Sequence, residues 1–213
     1  MTYHFSLTEL EKKQLLLLSR NAIRFCFERA GIQPRGSGAN LSLSFCEKKL
    51  YERYSGLGIP VLEQNLTCFV SLYALQENSR QLRGCIGTLE AQSGETLLED
   101  LISNSIHAAF KDSRFEPLEE KELATTLIEI SILSEPQPIE FENMEELFRL
   151  IKGKGVVLKS GIYRATYLPQ VWEQVSKPED FLMHLARKAG IRPENYLNAS
   201  YSIYEVYSFE DKK

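Results

Sequence analysis

Residues 82–88 read Leu-Arg-Gly-Cys-Ile-Gly-Thr and place a cation, a thiol and two glycines within seven positions. In a strand, alternation would put Arg83 and Cys85 on one face, roughly 7 Å apart at their Cα atoms. A guanidinium at that distance favours a thiolate and makes the sulfur a better nucleophile. The segment therefore predicts a reactive or ligand-contacting cysteine. The alternative interpretation is a small buried cysteine in a kinked strand.

The two glycines of this segment also carry information. Glycine inside a strand removes side-chain packing and marks a bulge, a bend or the close approach of a backbone or ligand. Under the same alternation Gly87 lies on the Cys85 face and leaves room beside the sulfur. We therefore expect both Gly84 and Gly87 to line a binding surface.

Two other residues could move protons for this thiol. Glu129 lies in the predicted strand 126–133, whose isoleucines share the opposite face, so its carboxylate faces either solvent or a cleft. His107 lies on a helix that a capping box at Thr96 begins. It could serve Cys85 as an acid or base only if that helix packs beside the strand, and the alternative is a histidine without catalytic function.

Composition excludes several classes of protein. With 213 residues, 43% of them hydrophobic and 25% charged, the chain has ordinary globular composition and can bury a sizeable core. A net charge of −4 gives no overall attraction to nucleic acid or anionic membranes, so a general nucleic-acid binder is disfavoured.

The spacing of the cysteines and the first residues of the chain indicate whether the protein binds a metal and in which compartment it lies. The four cysteines form no C-x-x-C pair and the three histidines are far apart, so we predict no metal site. The first residues lack the basic and apolar regions of a secretory signal, and the early apolar run at 15–18 is too short to span a bilayer. We therefore expect a cytoplasmic protein with free thiols and no membrane contact.

The elements that position these residues follow from periodicity and turn signals. A capping box at Thr8 predicts a long amphipathic helix, and residues 31–66 read as an irregular insert or small subdomain with a short helix near 46–54. Residues 68–73 and 82–88 are predicted to pair as a hairpin. Because hairpins dominate and no regular strand-helix-strand series recurs, the predicted fold is α+β, a mainly antiparallel β-sheet flanked by helices within one domain over 1–213.

Several segments of the chain, in order, resemble the AMMECR family. They are residues 82–88, 108–110 with Asp112, 114–115, 117–118, 129–131, 168–173, 181–182 and 188–190. These segments cover about 67–207. The resemblance implies a compact α+β domain with a smaller subdomain and a cleft near the Leu-Arg-Gly-Cys-Ile-Gly strand.

The resemblance also implies partners. Prokaryotic members of the family are similar to proteins grouped with a Memo-like protein and a radical SAM enzyme, which suggests a shared modification pathway. Neither the sequence nor the resemblance implies a substrate or a cofactor. Residues 35–65 look longer than the linker of bacterial and archaeal members, which leaves any substrate preference set by that stretch open.

Three functions fit these observations. The first is an enzyme with Cys85 as nucleophile or redox thiol and with Glu129 or His107 handling protons. In that case the predicted substrate contacts are Arg83, Gly84, Gly87, Thr88 and Arg114. The second is a non-catalytic module whose same face binds a nucleotide, a nucleic acid or a peptide. The third is a scaffold that uses the first helix or the insert as its contact surface.

Overall fold

The computed structural model describes residues 7–30, 39–76, 79–90, 94–192, 196 and 198–212. The helices are α1 Glu9–Ala30, α2 Ala39–Tyr54, α3 Leu97–Phe110, α4 Glu120–Leu123, α5 Met144–Ile151 and α6 Pro178–Ala189, with 3₁₀ turns at Pro60–Glu63 and Pro169–Glu173. The strands are β1 Thr67–Gln76, β2 Ser79–Gly87, β3 Leu127–Leu133, β4 Gln137–Ile139, β5 Gly155–Ser160, β6 Tyr163–Tyr167, β7 Ser200–Tyr204 and β8 Val206–Glu210. The chain divides into two compact units, Met1–Ile132 with Tyr207–Lys213, and Leu133–Val206.

The first unit is a four-stranded sheet in the order β2-β1-β3-β8, covered on one face by helices. Helix α3 packs on β1 and β2, and α1 and α2 pack on α3. The capping boxes predicted at the starts of α1 and α3 both form, because the side chains of Thr8 and Thr96 accept hydrogen bonds from the backbone three residues on. The inner face of β3 is closed by Ile128, Ile130 and Ile132, all buried.

Helix α2 differs from its prediction. The sequence indicates a short helix near 46–54, whereas the helix begins at Ala39. Leu43, Cys46 and Leu50 recur at helical spacing and are buried, so packing against α1 and α3 stabilises a segment whose serines favour helix weakly. Residues 31–38 of the predicted insert lie outside the described residues.

Strand β2 contains a bulge at Arg83. In the antiparallel pairing of β1 with β2, Tyr73 is opposite Leu82 and Leu72 is opposite Gly84, so Arg83 is an extra residue without a partner. The bulge inverts the alternation between the two halves of β2. As a result Arg80 and Leu82, which precede the bulge, lie on the same face as Cys85, which follows it.

The second unit is an antiparallel sheet in the order β4-β7-β5-β6 with α5 and α6 packed on it. The Trp172 indole stacks on the Phe181 ring with centroids 3.9 Å apart, and its Nε1 donates to the Lys154 carbonyl at 2.9 Å. Both units contain antiparallel sheets and packed helices, which confirms the predicted α+β fold. The predicted cleft beside residues 82–88 stays a prediction. Across the described ranges, no helix combines the length and apolar character needed to cross a membrane.

Candidate functional site

Cys85 differs in exposure from the other cysteines. All four cysteines are among the described residues, and Cys26, Cys46 and Cys68 are fully buried while Cys85 is partly exposed. The Cys85 Sγ accepts a hydrogen bond from Ser71 Oγ at 3.2 Å, and Ser71 is directly opposite Cys85 in the β1–β2 pairing. The sulfur therefore lies on the sheet face away from α3, beside a hydroxyl donor.

The backbone of Cys85 is held by two side chains that follow α3. Because β2 is an edge strand, the outward N–H and C=O of Cys85 have no neighbouring strand to pair with. The N–H donates to Asp112 Oδ2 at 2.8 Å, and the C=O accepts from Arg114 Nη2 at 3.1 Å. These contacts fix the strand at the position of the thiol.

Asp112 and Arg114 form one charged pair. Arg114 Nε donates to Asp112 Oδ1 at 2.9 Å, and Nη2 donates to Oδ2 at 2.7 Å. The hydrogen bond from Arg114 holds the pKa of the buried Asp112 carboxyl well below its usual range, although burial opposes this effect. In turn Asp112 raises the pKa of Arg114, and Cys85 adds a smaller contribution in the same direction. A permanent cation thus lies near the thiol.

Arg83 has a different position from the one that the alternation predicts. Its Nε and Nη2 donate to the two carboxylate oxygens of Glu122 at 2.8 and 3.0 Å. Its Nη1 donates to the Glu116 carbonyl at 2.6 Å, and Nη2 also donates to the Pro117 carbonyl at 3.1 Å. The structure therefore corrects the prediction that Arg83 accompanies the thiol: the bulge redirects it to α4 and the preceding loop, and the cation near Cys85 is Arg114.

We expect Arg83→Lys to destabilise the protein by about 1–3 kcal/mol, because an ammonium cannot reproduce the two parallel bonds to Glu122 and the carbonyl contacts. The measurement is urea denaturation at neutral pH. Arg80→Lys is the matched control. Arg80 is also ion-paired, but its side chain is 43% exposed against 17% for Arg83, so its replacement should cost less than about 1 kcal/mol. An equal or larger cost at Arg80 would contradict this assignment.

The two glycines are required for packing. A Cβ at Gly84 would lie 2.1 Å from the Ala108 carbonyl oxygen, so glycine lets α3 approach the strand. A Cβ at Gly87 would lie 2.1 Å from Cγ of the Phe69 ring. The space that the sequence predicts beside the sulfur at Gly87 is therefore occupied by an aromatic side chain.

Glu129 shares the face of the sheet that carries Cys85. Its carboxylate accepts from Arg80 Nη2 at 3.1 Å, and the Arg80 guanidinium lies 4.3 Å from the centroid of the Tyr73 ring. Burial raises the pKa of the Tyr73 phenol, and the negative charge of Glu129 raises it further. The phenol is protonated at neutral pH and can donate a hydrogen bond. Tyr73 thus lies in a charged cluster that the sequence did not predict.

Two predicted site residues lie on the helical side of the sheet instead, His107 on α3 itself and Thr88 against α3. His107 Nε2 lies 3.2 Å from Glu47 Oε1 on α2, and its Nδ1 lies 3.5 Å from Ser103 Oγ. Thr88 Oγ1 accepts from Asn104 Nδ2 of α3 at 3.2 Å. Because Gly84 and Thr88 contact α3 while Cys85 points to the other face, the structure does not bring His107 or Thr88 to the thiol.

Four residues that share the face of Cys85 or bind its backbone were missed as site residues. Ser71, Tyr73 and Arg80 share its face of the hairpin, and Asp112 binds its backbone. Ser71 and Tyr73 have a signal in the sequence, because they alternate along β1 opposite the motif strand. Arg80 has no such signal in the sequence, because the bulge determines on which face of the sheet it lies. Among the described residues, no group of three or more histidine, cysteine or acidic side chains could hold a metal ion.

Comparisons with known proteins identify relatives along most of the chain. The sequence model of the AMMECR1 family matches residues 40–212. A protein of Methanosarcina mazei is 32% identical over 206 residues, which covers 96% of this chain and 90% of that protein. The protein MJ0810 of Methanocaldococcus jannaschii is 35% identical over 160 residues, covering 71% of this chain and 76% of that protein.

A solved structure supports the same relationship. The crystal structure of the uncharacterized protein PH0010 from Pyrococcus horikoshii matches with a TM-score of 0.70 at 27% sequence identity, covering 98% of this chain and 95% of that one. The matched residues 40–212 include Cys85, Asp112 and Arg114, whereas α1 precedes them.

Proposed function

We propose that this chain, which belongs to the AMMECR1 family, is an enzyme whose Cys85 thiol acts as nucleophile or redox group on the open face of the first sheet. The family match confirms the resemblance that the sequence indicated. One observation carries the proposal: Cys85 alone among the four cysteines is partly exposed, and it has a hydroxyl donor at its sulfur and a guanidinium at its backbone.

The surroundings of the sulfur fit a nucleophile better than a packing residue. A packing cysteine lies among aliphatic groups, as Cys26 does in the helical layer. Cys85 instead lies beside Ser71, whose hydroxyl donates to the sulfur, and near the positive charge of Arg114. Donors and cations placed in this way stabilise the attacking form of a cysteine.

Arg114 also indicates the class of substrate. Its guanidinium directs Nε and Nη2 to Asp112 and to the Cys85 carbonyl, and neither of these partners uses Nη1. The side chain is more than half exposed. We propose that Nη1 binds a carboxylate or phosphate group on a substrate whose electrophilic centre then faces Cys85.

The covalent step follows from this placement. The sulfur forms a bond with the electrophilic centre, the leaving group departs with the bonding electrons, and the thiol proton goes to the leaving group or to a carboxylate. Glu129 is the proposed carboxylate, because it lies on the same face and couples electrostatically to Tyr73.

Alkylation of the native protein tests the proposal. With iodoacetamide at neutral pH, peptide mass spectrometry should show Cys85 modified at least about tenfold faster than Cys26, Cys46 and Cys68, because burial protects those three. In denaturant all four should react at similar rates. Uniformly slow alkylation of the native protein would contradict the proposal.

Exposure alone could produce such selectivity, so a second measurement tests activation. Ser71→Ala removes the donor at the sulfur and should slow Cys85 alkylation by about two- to fivefold, since one hydrogen bond to a charged group is lost. Ser103→Ala, at a serine that contacts Glu47 on the helical side, is the matched control and should leave the rate unchanged. If Cys85 is alkylated equally fast in both variants, its thiol is exposed but not activated by Ser71, and the proposed activation is contradicted.

A non-catalytic binding module is the second candidate function, and the exposed side chain of Arg114 is the observation that favours it. Cys85→Ser separates the two functions. An enzyme loses turnover with this variant, whereas a binding module retains its ligand affinity. The Memo-like and radical SAM partners and the cytoplasmic location stay proposals, supported by the family resemblance and by four cysteines without disulfides.

A further inference from the structure

A groove of about 830 Å³ lies within the first unit, between α1 and the strand ends at Leu75, Arg80, Leu127 and Glu210. This volume is within the range of small-molecule sites, roughly 300–1,000 Å³. One wall is α1, which precedes the residues matched by the family model. We call this feature the α1 groove.

Apolar side chains line part of the α1 groove. They are Leu16, Leu17, Leu75, Leu127 and Phe209. Leu17 and Leu75 are 56% and 40% exposed. Covering such exposed leucine side chains with an apolar ligand is favourable. Contiguous exposed apolar surface with a polar rim is typical of a binding site.

The rim of the groove is basic in an acidic chain. Five cations line it against three acids, although the chain carries a net charge of −4. The cations are Lys12, Lys13, Arg20, Arg80 and Lys212. The basic excess is therefore local to this groove.

The three acids of the rim are already engaged. Glu9 binds both Lys12 and Lys212, at 2.7 and 2.8 Å, and these lysines lower its pKa to about 2. Asp211 binds Arg20 at 2.6 Å. Glu210 binds Arg80.

Lys13 is left as the uncompensated charge of the rim. It is exposed and makes no ion pair with a described residue, and it lies four residues before Leu17 on α1. Residues four apart on a helix are neighbours on its surface, so this cation stands beside the most exposed leucine of the groove. The groove thus presents an apolar surface and a free positive charge side by side.

We propose that the α1 groove binds a small molecule with an apolar body and one anionic group, a carboxylate or a phosphate monoester. The leucines cover the apolar body and Lys13 neutralises the anion. This site goes beyond the proposed function, because none of its lining residues contacts the sulfur, although one of them, Arg80, also pairs with Glu129 on the Cys85 face.

Octyl phosphate and octanoate, below their micellar concentrations, test the site on the full chain. Both should bind with dissociation constants below about 1 mM by calorimetry and should shift the methyl resonances of Leu17 and Leu75. Octyltrimethylammonium has the same tail and the opposite charge, and inorganic phosphate has no tail, so both should bind at least tenfold more weakly. The ratio of the affinities for octyl phosphate and octanoate identifies the preferred anion.

Paired variants locate the binding. Leu17→Gln and Lys13→Gln should each weaken octyl phosphate about fivefold, through lost apolar contact and lost charge respectively. The controls Leu57→Gln and Lys48→Gln change an exposed leucine and an exposed lysine outside the groove and should leave the affinity unchanged.

Three outcomes would overturn the proposal. They are unshifted leucine methyls, equally tight binding of the cationic probe, and control variants that weaken binding as much as the groove variants. Cys85→Ser should leave octyl phosphate affinity unchanged. A failure of the α1 groove is therefore distinguishable from a failure of the Cys85 site.

Discussion

Gly84→Ala should destabilise the protein by about 3 kcal/mol or more, because a single methyl group would lie 2.1 Å from the Ala108 carbonyl oxygen. The obstacle is the backbone of α3, which cannot rotate away as a side chain can. The backbone of Gly84 is outside the left-handed region, so alanine adds no conformational strain and the effect is purely steric. Reduced freedom of the unfolded chain would offset only about 0.4–1 kcal/mol.

Gly87→Ala is the matched control for this effect. Its methyl group would also come within 2.1 Å of a neighbour, but that neighbour is the partly exposed ring of Phe69. The ring can turn toward solvent, so the expected cost is about 1 kcal/mol. Urea denaturation of both variants compares the two sites. Equal stability losses, or a larger loss at Gly87, would show that α3 does not press on the strand.

A double substitution sharpens the comparison. Phe69→Leu removes the ring that opposes a methyl group at position 87, so the double variant with Gly87→Ala should lose less stability than the sum of the single changes. No comparable relief is expected for Gly84→Ala, because its neighbour is a carbonyl group of the main chain.

Asp112→Asn should cost about 2–3 kcal/mol at neutral pH. The amide retains the shape but loses the negative charge that pairs with Arg114 and accepts the Cys85 N–H. The loss is large because the Asp112 carboxylate is buried, so water screens its charge-assisted hydrogen bonds only weakly. Hydrogen exchange should also show reduced protection of the Cys85 amide, which depends on this carboxylate.

The same variant has a pH dependence of known sign. The pKa of Asp112 is lower in the folded chain than its unfolded value of about 3.9. Its contribution to stability is therefore present above about pH 4 and is lost as the pH falls toward the folded pKa. The difference in unfolding free energy between the wild type and Asp112→Asn should shrink below about pH 4.

Glu52→Gln is the control for Asp112→Asn. Glu52 is paired with Lys49 at 2.7 Å, but both side chains are about half exposed and the pair is screened by water. Its substitution should leave the denaturation midpoint unchanged within error at neutral pH. A loss at Glu52 as large as that at Asp112 would mean that burial of the Asp112 pair is not what gives it strength.

Much of the secondary structure follows from local sequence. Helix α6 begins with Pro178 in its first turn and ends at Ala189, directly before Gly190, whose φ of 80° suits glycine. The capping box at Thr96 and the hairpin of β1 with β2 are as predicted. These features depend on residues a few positions apart, so the information that specifies them is contained in short segments.

The face of the sheet on which each side chain lies depends on the strand pairing and not on short segments of sequence. The alternation that pairs Arg83 with Cys85 assumes an unbroken strand, and the bulge breaks it by one residue. The sequence marks 82–88 as unusual through its glycines, but it does not reveal that one of them meets a helix carbonyl and the other an aromatic ring.

The sequence by itself determined the α+β class, the family and the identity of the cysteine most worth testing. The tertiary structure alone determined that Asp112 and Arg114 hold that cysteine, that Arg83 and His107 face other partners, and that α1 borders a basic groove. The physical reason is the separation in sequence between the residues that interact. Helix caps and strand periods arise from neighbours in the chain, whereas a bulge, a hydrogen bond between residues 27 positions apart or a groove between distant elements exists only once the chain has packed.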